Sequence, residues 1–365
     1  MINRMVTRNL MHRPIRTLLS VMAIALEVAM ILMMVGLSEG LLQESQRRTR
    51  GIGADIMIRP STSSAAQTLS SADISEKLIP KLGEMYPEIS IATGTVVHTP
   101  GDLQTITGVD WEKLDAMSGG IRFFSGGPVR QPYDAVIDEV YAKYKKLAVG
   151  DKLRLLNRDF TVTGIVETGK MSRVFIPLET MQDLMGAKGK FSQILLKLRD
   201  PARTREMVTQ IKELLPTYPV YAMEDFLTQA ATDLRSMAGS FVNVIIGIAV
   251  TIGFIVVLLS MYTAILERTR EIGILKSLGA SKSYIVTIVV RETVMICLVG
   301  ILVGTGLGYL GRSAVESKFP LVTVLILPEW VFWSAVLAVF GAVLGAFYPA
   351  LKAARQDPIE ALAYE

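Results

Sequence analysis

Four long apolar runs constrain this chain more than any other feature: Ile15–Ser38, Phe241–Leu266, Tyr284–Leu310 and Glu329–Leu351. The first, about 24 residues, would form a helix of roughly 36 Å at about 1.5 Å per residue, enough to cross a hydrocarbon core of about 30 Å. In lipid the backbone must satisfy its own polar groups, and a lone apolar run does so only as a helix. Half of the 365 residues are hydrophobic, yet the stretch from about Glu39 to Met237 has an ordinary soluble composition. The pattern predicts an α-helical membrane protein with four transmembrane helices and a large domain between helices 1 and 2.

Positive charge gives the orientation. Arg4, Arg8, Arg13 and Arg16 flank the start of the first run, Arg268, Arg270, Lys276 and Lys282 fill the connection between the second and third, and Lys352 and Arg355 follow the fourth. The connection after the third run carries only Arg312 and Lys318 against Glu316. The positive-inside rule then makes both termini and the 267–283 connection cytoplasmic and the long domain extracytoplasmic. A cleaved signal peptide competes for the first run, but its apolar region is too long and Ser38–Gly40 is S-E-G rather than an A-x-A-like site, so a retained anchor is expected. The predicted order is a cytoplasmic segment 1–14, span 15–38, extracytoplasmic domain with stalk 39–240 and span 241–266. A cytoplasmic helical loop 267–283, span 284–310, short exterior loop 311–328, span 329–351 and cytoplasmic tail 352–365 complete it.

In the long domain, Gly40–Gly51 is expected to prolong the first helix as a stalk and Ser61–Ser71 to form a loop. Strands are predicted at Asp55–Arg59, Leu103–Val109, Asp134–Ile137, Lys152–Leu156, Phe160–Val166 and, from polar–apolar alternation, Gln193–Leu198. Helices are predicted at Ile74–Met85, Leu178–Met185 and Arg203–Leu215, the first and last stopped by Pro87 and Pro216. The mixture is α+β. Catalysis finds little support: G-x-S-x-G does not occur, His98 is the only exterior histidine, and the carboxylates are scattered as a solvated surface requires. His12 and His98 are far apart in sequence and the one cysteine, Cys297, lies in an apolar run, which argues against a metal site. The net charge of +4 sits largely beside the apolar runs, and no basic face with interleaved aromatics points to nucleic acid. The domain is expected to bind or to transmit force.

Gly300, Gly304 and Gly308 recur every fourth residue in the third run, and Gly341 and Gly345 do so in the fourth. On a helix this spacing clears one face for close approach of another helix. GTGLGYLG matches the dinucleotide fingerprint G-x-G-x-x-G by accident, lacking the strand that must precede it. Glu27 sits near the middle of the first run, where a carboxylate is expensive. It either lines a transport path or relays protons, or it is neutral or hydrogen-bonded in a helix interface. Arg291 and Glu292, about two turns into the third run, are expected to approach the cytoplasmic interface or each other. The connection Tyr262–Ala280, YTAILERTREIGILKSLGA, alternates Glu267, Arg268, Arg270, Glu271 and Lys276 with Ile272, Ile274, Leu275 and Leu278. Glu267 and Glu271 share one helical face, and Ile274 and Leu278, with Leu275 beside them, form an apolar one. Gly279 offers a stop. Such a helix lies on the bilayer surface or docks in a groove on a partner protein. About three turns of mixed acids and bases bind anionic lipid poorly and favour the protein.

ERTREIGILKSLGAS (Glu267–Ser281) closely resembles the signature of ABC-transporter permeases of the MacB/FtsX/LolC type, the type VII or mechanotransmission group. RNLMHRPIRTLLS (Arg8–Ser20) is similar to their amphipathic N-terminal helix and GAFYPALKAARQDPIEALAYE (Gly345–Glu365) to their closing motif. VGDKLRL (Val149–Leu155), FTVTGIVE (Phe160–Glu167) and FIPL (Phe175–Leu178) resemble their periplasmic domain. The resemblance implies a multi-pass protein of the inner membrane with both termini inside and a periplasmic domain between the first two helices. It also implies a homodimer, or a heterodimer with a related permease, in contact with membrane lipids and seated on a pair of ATP-binding subunits. A periplasmic membrane-fusion adaptor would mark an efflux system. In that family the loop carries the coupling helix, which implicates Glu267, Arg268, Arg270, Glu271, Ile272, Gly273, Lys276, Leu278 and Gly279 in ATPase contact. ATP and Mg²⁺ would be held by the partner and no cofactor by this chain.

In two respects the chain departs from the family. No G-x-x-x-x-G-K-[ST] is present, so the ATPase is expected on a separate protein, and Glu27 matches no family feature. The implied function is the permease subunit of an ABC export or mechanotransmission system. One alternative is a regulator that uses ATP to activate an extracytoplasmic hydrolase. Another, independent of the resemblance, is an ion-gradient-driven secondary transporter, which would want several intramembrane ionisable residues and internal repeats.

Overall fold

The structure, a computed structural model, describes residues 14–60, 72–99 and 105–357. The expected amphipathic N-terminal segment, the 61–71 loop, the start of the 103–109 strand, His12 and the end of the tail lie outside the described residues. The chain divides into two units, one of residues 1–40, 238–318 and 324–365, the other of residues 41–237 and 319–323.

Helix α1 (Pro14–Arg50) runs on past the first apolar run, so the stretch from Gly40 to Arg50 is helical. The second unit then follows in the order β1 (Ile56–Ile58), β2 (Ile74–Ser75), α2 (Leu78–Met85), β3 (Ile89–His98), β4 (Ile106–Val109), α3 (Trp111–Met117), β5 (Phe123–Gly126), β6 (Asp134–Asp138) and α4 (Glu139–Lys145). It continues with β7 (Lys152–Leu155), β8 (Arg158–Val166), β9 (Val174–Pro177), α5 (Leu178–Leu184), β10 (Lys190–Phe191), β11 (Gln193–Leu198), α6 (Thr204–Leu214) and β12 (Val220–Ala222). The main sheet has the order β12-β1-β11-β3-β4-β9-β6-β8-β5, with β7 on β8, while β2 and β10 form a separate pair. Among the described residues, only β4–β9 and β6–β8 are parallel. Strand β3 joins the halves, pairing β11 through Ile89–Thr95 and β4 through Val96–His98. Leu156 and Asn157, at φ 48° and 62°, make the two-residue β7–β8 turn with the positive φ values that a type I′ hairpin needs. Ile58, Val96, Ile137, Phe160, Ile176 and Ile194 fill the core with α6's Met207 and Ile211.

One expectation changes here, and one strand is new. Ile74 does not begin a helix: it pairs with Phe191 in the β2–β10 ladder, and α2 starts at Leu78. Strand β3 escaped the sequence reading because Ala92 and Gly94 dilute its β-branched pattern. A Cβ at Gly94 would overlap the Phe191 ring, so the residue that weakens the strand signal is the one the packing requires.

Among the described residues, four helices are long and apolar enough to cross a bilayer: α1, α7 (Met223–Glu267), α9 (Lys282–Lys318) and α10 (Pro328–Arg355), with α8 (Thr269–Ser277) after α7. Helix α9 outlasts its apolar run, so the expected 311–328 loop shrinks to 319–327, and Arg312 and Glu316 form an i,i+4 ion pair on the extra turns. Val21, Ile24, Val28 and Leu32 of α1 share a core with Val257, Met261 and Ile265 of α7 and Ile285, Val289 and Ile296 of α9. An alanine ladder on α10, Ala338, Ala342, Ala346 and Ala350, completes it. A Cβ would lie 2.8 Å from Ile24 at Gly300, 2.6 Å from the Ala25 carbonyl at Gly304 and 3.3 Å from Leu32 at Gly308. On α10 it would lie 3.3 Å from Val250 at Gly341 and 2.7 Å from the Phe254 carbonyl at Gly345. The α9 glycines therefore meet α1, and the α10 glycines meet α7. Leu26, Ile252, Leu302 and Phe340 are exposed, as lipid-facing side chains are.

Candidate functional site

Helix α7 ends at Glu267 and α8 begins two residues later, the chain turning at Arg268, whose φ of −110° and ψ of 16° leave the helical region. The far end of α8 closes as a Schellman motif: the Gly279 N–H donates to the Lys276 carbonyl at 3.0 Å and the Ala280 N–H to that of Leu275 at 3.0 Å. Gly279 supplies the φ of +92° this needs.

Polar ties brace this segment. Arg268 donates to Glu292 of α9 at 3.0 Å, and Glu292 is 4 % exposed. Lys276 donates to the carbonyls of Ala354, at 3.1 Å, and Gln356, satisfying acceptors at the C-terminus of α10. Arg16 of α1 meets Glu267 at 2.7 Å. Lys352 donates to the Tyr262 hydroxyl at 2.9 Å and lies over its ring. The segment is thus tied to α1, α9 and α10. Arg291 and Glu292 part company: Arg291 is exposed and Glu292 buried against Arg268.

The inward face of α8 is Thr269, Ile272 and Gly273, with Lys276 one turn on. Its outward face is Arg270, Glu271, Ile274, Ser277 and Leu278, with Ile274 45 % and Leu278 80 % exposed. The expected apolar face, Ile274, Leu275 and Leu278, is therefore divided. Leu275 is half-buried, while Ile274 and Leu278 are left to solvent. Thr269 and Gly273, both small, are buried on this face, a signal that hydrophobicity alone hides. Arg16, Glu292, Tyr262 and Lys352 were missed as members of this site because their partners lie far away in sequence.

Glu27 is 5 % exposed, and its Oε2 occupies the place a Cβ at Gly253 would take. Its Oε1 has no hydrogen-bond partner among the described residues. Among the described residues, no three His, Cys, Asp or Glu side chains converge as metal ligands.

Residues 17–214 match the family model for a MacB-like periplasmic core domain, and residues 243–358 that for an FtsX-like permease C-terminal domain. The ABC transporter permease YknZ of Bacillus subtilis is 25 % identical over an alignment covering 99 % of this chain and 98 % of that protein. The macrolide export ATP-binding/permease protein MacB of Nitrobacter winogradskyi is 26 % identical over 96 % of this chain but only 58 % of its own length. The chain thus spans less than two thirds of that relative. Among solved structures, the periplasmic region of MacB from Actinobacillus actinomycetemcomitans aligns with 48 % of this chain and 92 % of that one, at 15 % identity and a TM-score of 0.36. The chain belongs to the family of ABC transporter permeases that combine a MacB-like periplasmic core domain with an FtsX-like permease domain, multi-pass membrane proteins.

Proposed function

We propose that this protein is the permease subunit of an ABC export or mechanotransmission system, coupling ATP hydrolysis on a separate nucleotide-binding subunit to conformational change in its core domain. The observation that carries this reading is α8, a helix braced to the bundle yet presenting Ile274 and Leu278 to solvent. Two exposed aliphatics flanked by Arg270 and Glu271 suit a groove on a soluble protein. The bracing supports a mechanical role, since force applied to α8 would be borne at one end by α9 and at the other by α10.

In this reading Glu267, Arg270, Glu271, Ile274, Leu278 and Gly279 meet the ATPase, while Arg268, Ile272, Gly273 and Lys276 position α8 from within. The glycines of α9 and α10 act in helix packing. The ATPase pair holds ATP and Mg²⁺, the permease works as a homodimer or with a related permease, and both termini face the cytoplasm across the inner membrane, following the positive charges. The test is co-purification of a Walker-type ATPase with the permease. Leu278→Asp should abolish the complex and the stimulation of ATP hydrolysis. A permease that binds no such ATPase and transports on a proton gradient alone overturns the proposal.

A further inference from the structure

The second unit contains a cavity of about 270 Å³ between the α1 segment from Leu41 onward and the strands β1, β3 and β4. That is near the lower end of the roughly 300–1,000 Å³ of small-molecule sites. Its charged lining consists of Arg48, Arg59, Arg173 and Glu44. One oxygen of Glu44 serves Arg48, at 2.9 and 2.8 Å, and lies 3.6 Å from Arg173. Arg173 also reaches Asp138 at 3.4 Å and donates to the Leu321 carbonyl at 3.0 Å. Arg59 and Arg173 are only 7 % and 3 % exposed. Burial pulls both guanidiniums below their ordinary pKa.

Two further observations point to a ligand. Thr107, fully buried in the cavity wall, has an Oγ1 with no hydrogen-bond partner among the described residues. A buried hydroxyl left so loses about 1–3 kcal/mol of hydration unless something arrives to pair with it. Beside the polar Ser45, Thr49, Thr99, Thr105, Ser192 and Gln193, the wall has a soft apolar part formed by Met57, Met171 and Phe226, and Arg59 lies over the Phe226 ring at 5.6 Å. A guanidinium held on a ring keeps its N–H donors in its own plane, the arrangement that grips a carboxylate or phosphate.

We propose that this cavity binds a small amphiphile with one anionic head group, its head on Arg59, Arg173 and the Thr107 hydroxyl and its short apolar tail against Met57, Met171 and Phe226. The site belongs wholly to the second unit and does not depend on coupling to an ATPase.

The test uses the full chain in nanodiscs of zwitterionic lipid, with diazirine-bearing decanoic acid and decyl phosphate as photoprobes and the labelled peptides mapped by mass spectrometry. Saturable labelling of peptides containing Met57, Met171 or Phe226 is expected. It should be competed by decanoate or decyl phosphate and not by decanol or decylamine. The stronger competitor of the two anions identifies the head group. Arg59→Gln and Thr107→Val should each weaken the apparent affinity about tenfold, the loss of one hydrogen bond to a charged group. Thr107→Val is isosteric and removes a buried unpaired hydroxyl, so it should keep or raise the wild-type melting temperature, separating lost binding from lost folding. Labelling confined to the apolar runs 15–38, 241–266, 284–310 and 329–351, equal competition by decanol, or wild-type labelling of Thr107→Val would overturn the assignment.

Discussion

Shortening Leu278 should weaken ATPase docking while leaving the permease folded. Leu→Ala removes three carbons, each worth about 0.8 kcal/mol on burial. Leu278 is 80 % exposed in the free permease, so a partner that covers it would gain about 1.9 kcal/mol from those carbons, roughly 25-fold in Kd. The same reckoning for Ile274, 45 % exposed, gives about 1.1 kcal/mol, or roughly sixfold. Ile272 is 9 % exposed and already packed within the bundle, so Ile272→Ala should lower permease stability by about 2–5 kcal/mol and leave the docking surface chemically intact. Alanine favours helix, so none of these changes melts α8 through propensity. The assay is a titration of the ATPase onto nanodisc-held permease by biolayer interferometry, with each variant's melting temperature measured in parallel. The predicted order of affinity loss is Leu278→Ala, then Ile274→Ala, then Ile272→Ala. Wild-type affinity in the first two, or the greatest loss in the third, would show that α8 does not dock through this face.

Gly304→Ala should lower the melting temperature of the detergent-solubilised protein, because its Cβ would meet the Ala25 carbonyl at 2.6 Å and overpacking costs about 1–3 kcal/mol. Gly306→Ala, with nothing within 4 Å, should be neutral or stabilising in the same measurement. Arg268→Met or Glu292→Met alone should cost up to about 3–5 kcal/mol by stranding the partner, whereas the double variant should be more stable than either single one; thermal melts decide it. Asp138 is raised above its ordinary 3.8, chiefly by burial, against the pull of Arg173 and the Tyr141 N–H. A raised folded-state value means its contribution is whole below about 3.8 and declines as pH climbs through that higher value. Asp138→Asn, which cannot titrate, should remove this decline from a pH series of melting temperatures.

The transmembrane helices were legible because lipid leaves an apolar run no other backbone solution. The prolongation of α1 was legible too, in the polar helix-compatible stretch from Gly40, but that of α9 was not: it continues for turns beyond its apolar run, where Arg312 and Glu316 pair along the helix. In the second unit, β-branched strands such as β8 were evident, while α3 and α4, each seven residues long, were too short to show a period. Their N-caps, Asp110 accepting from the Lys113 N–H and Asp138 from that of Tyr141, were the available signal. At α8 the helix and its Gly279 stop were readable. Which face turns inward was not, since Thr269 and Gly273 recommend themselves by smallness and Ile274 and Leu278 by bulk. The Arg268–Glu292 pair spans a separation of 24 residues that no local pattern announces.

The seat of Glu27 against Gly253 makes those two positions a single unit of heredity. Because the end of the carboxylate occupies the volume that a side chain at 253 would need, a larger residue there must push the acid out of its present seat. A lineage that replaced Glu27 by a smaller apolar residue would release position 253 to grow, whereas one that enlarged position 253 first would have to displace the Glu27 carboxylate from its buried seat. Substitution is therefore expected to proceed in one order, acid before glycine, and descendants should carry both ancestral residues, neither, or the changed acid alone.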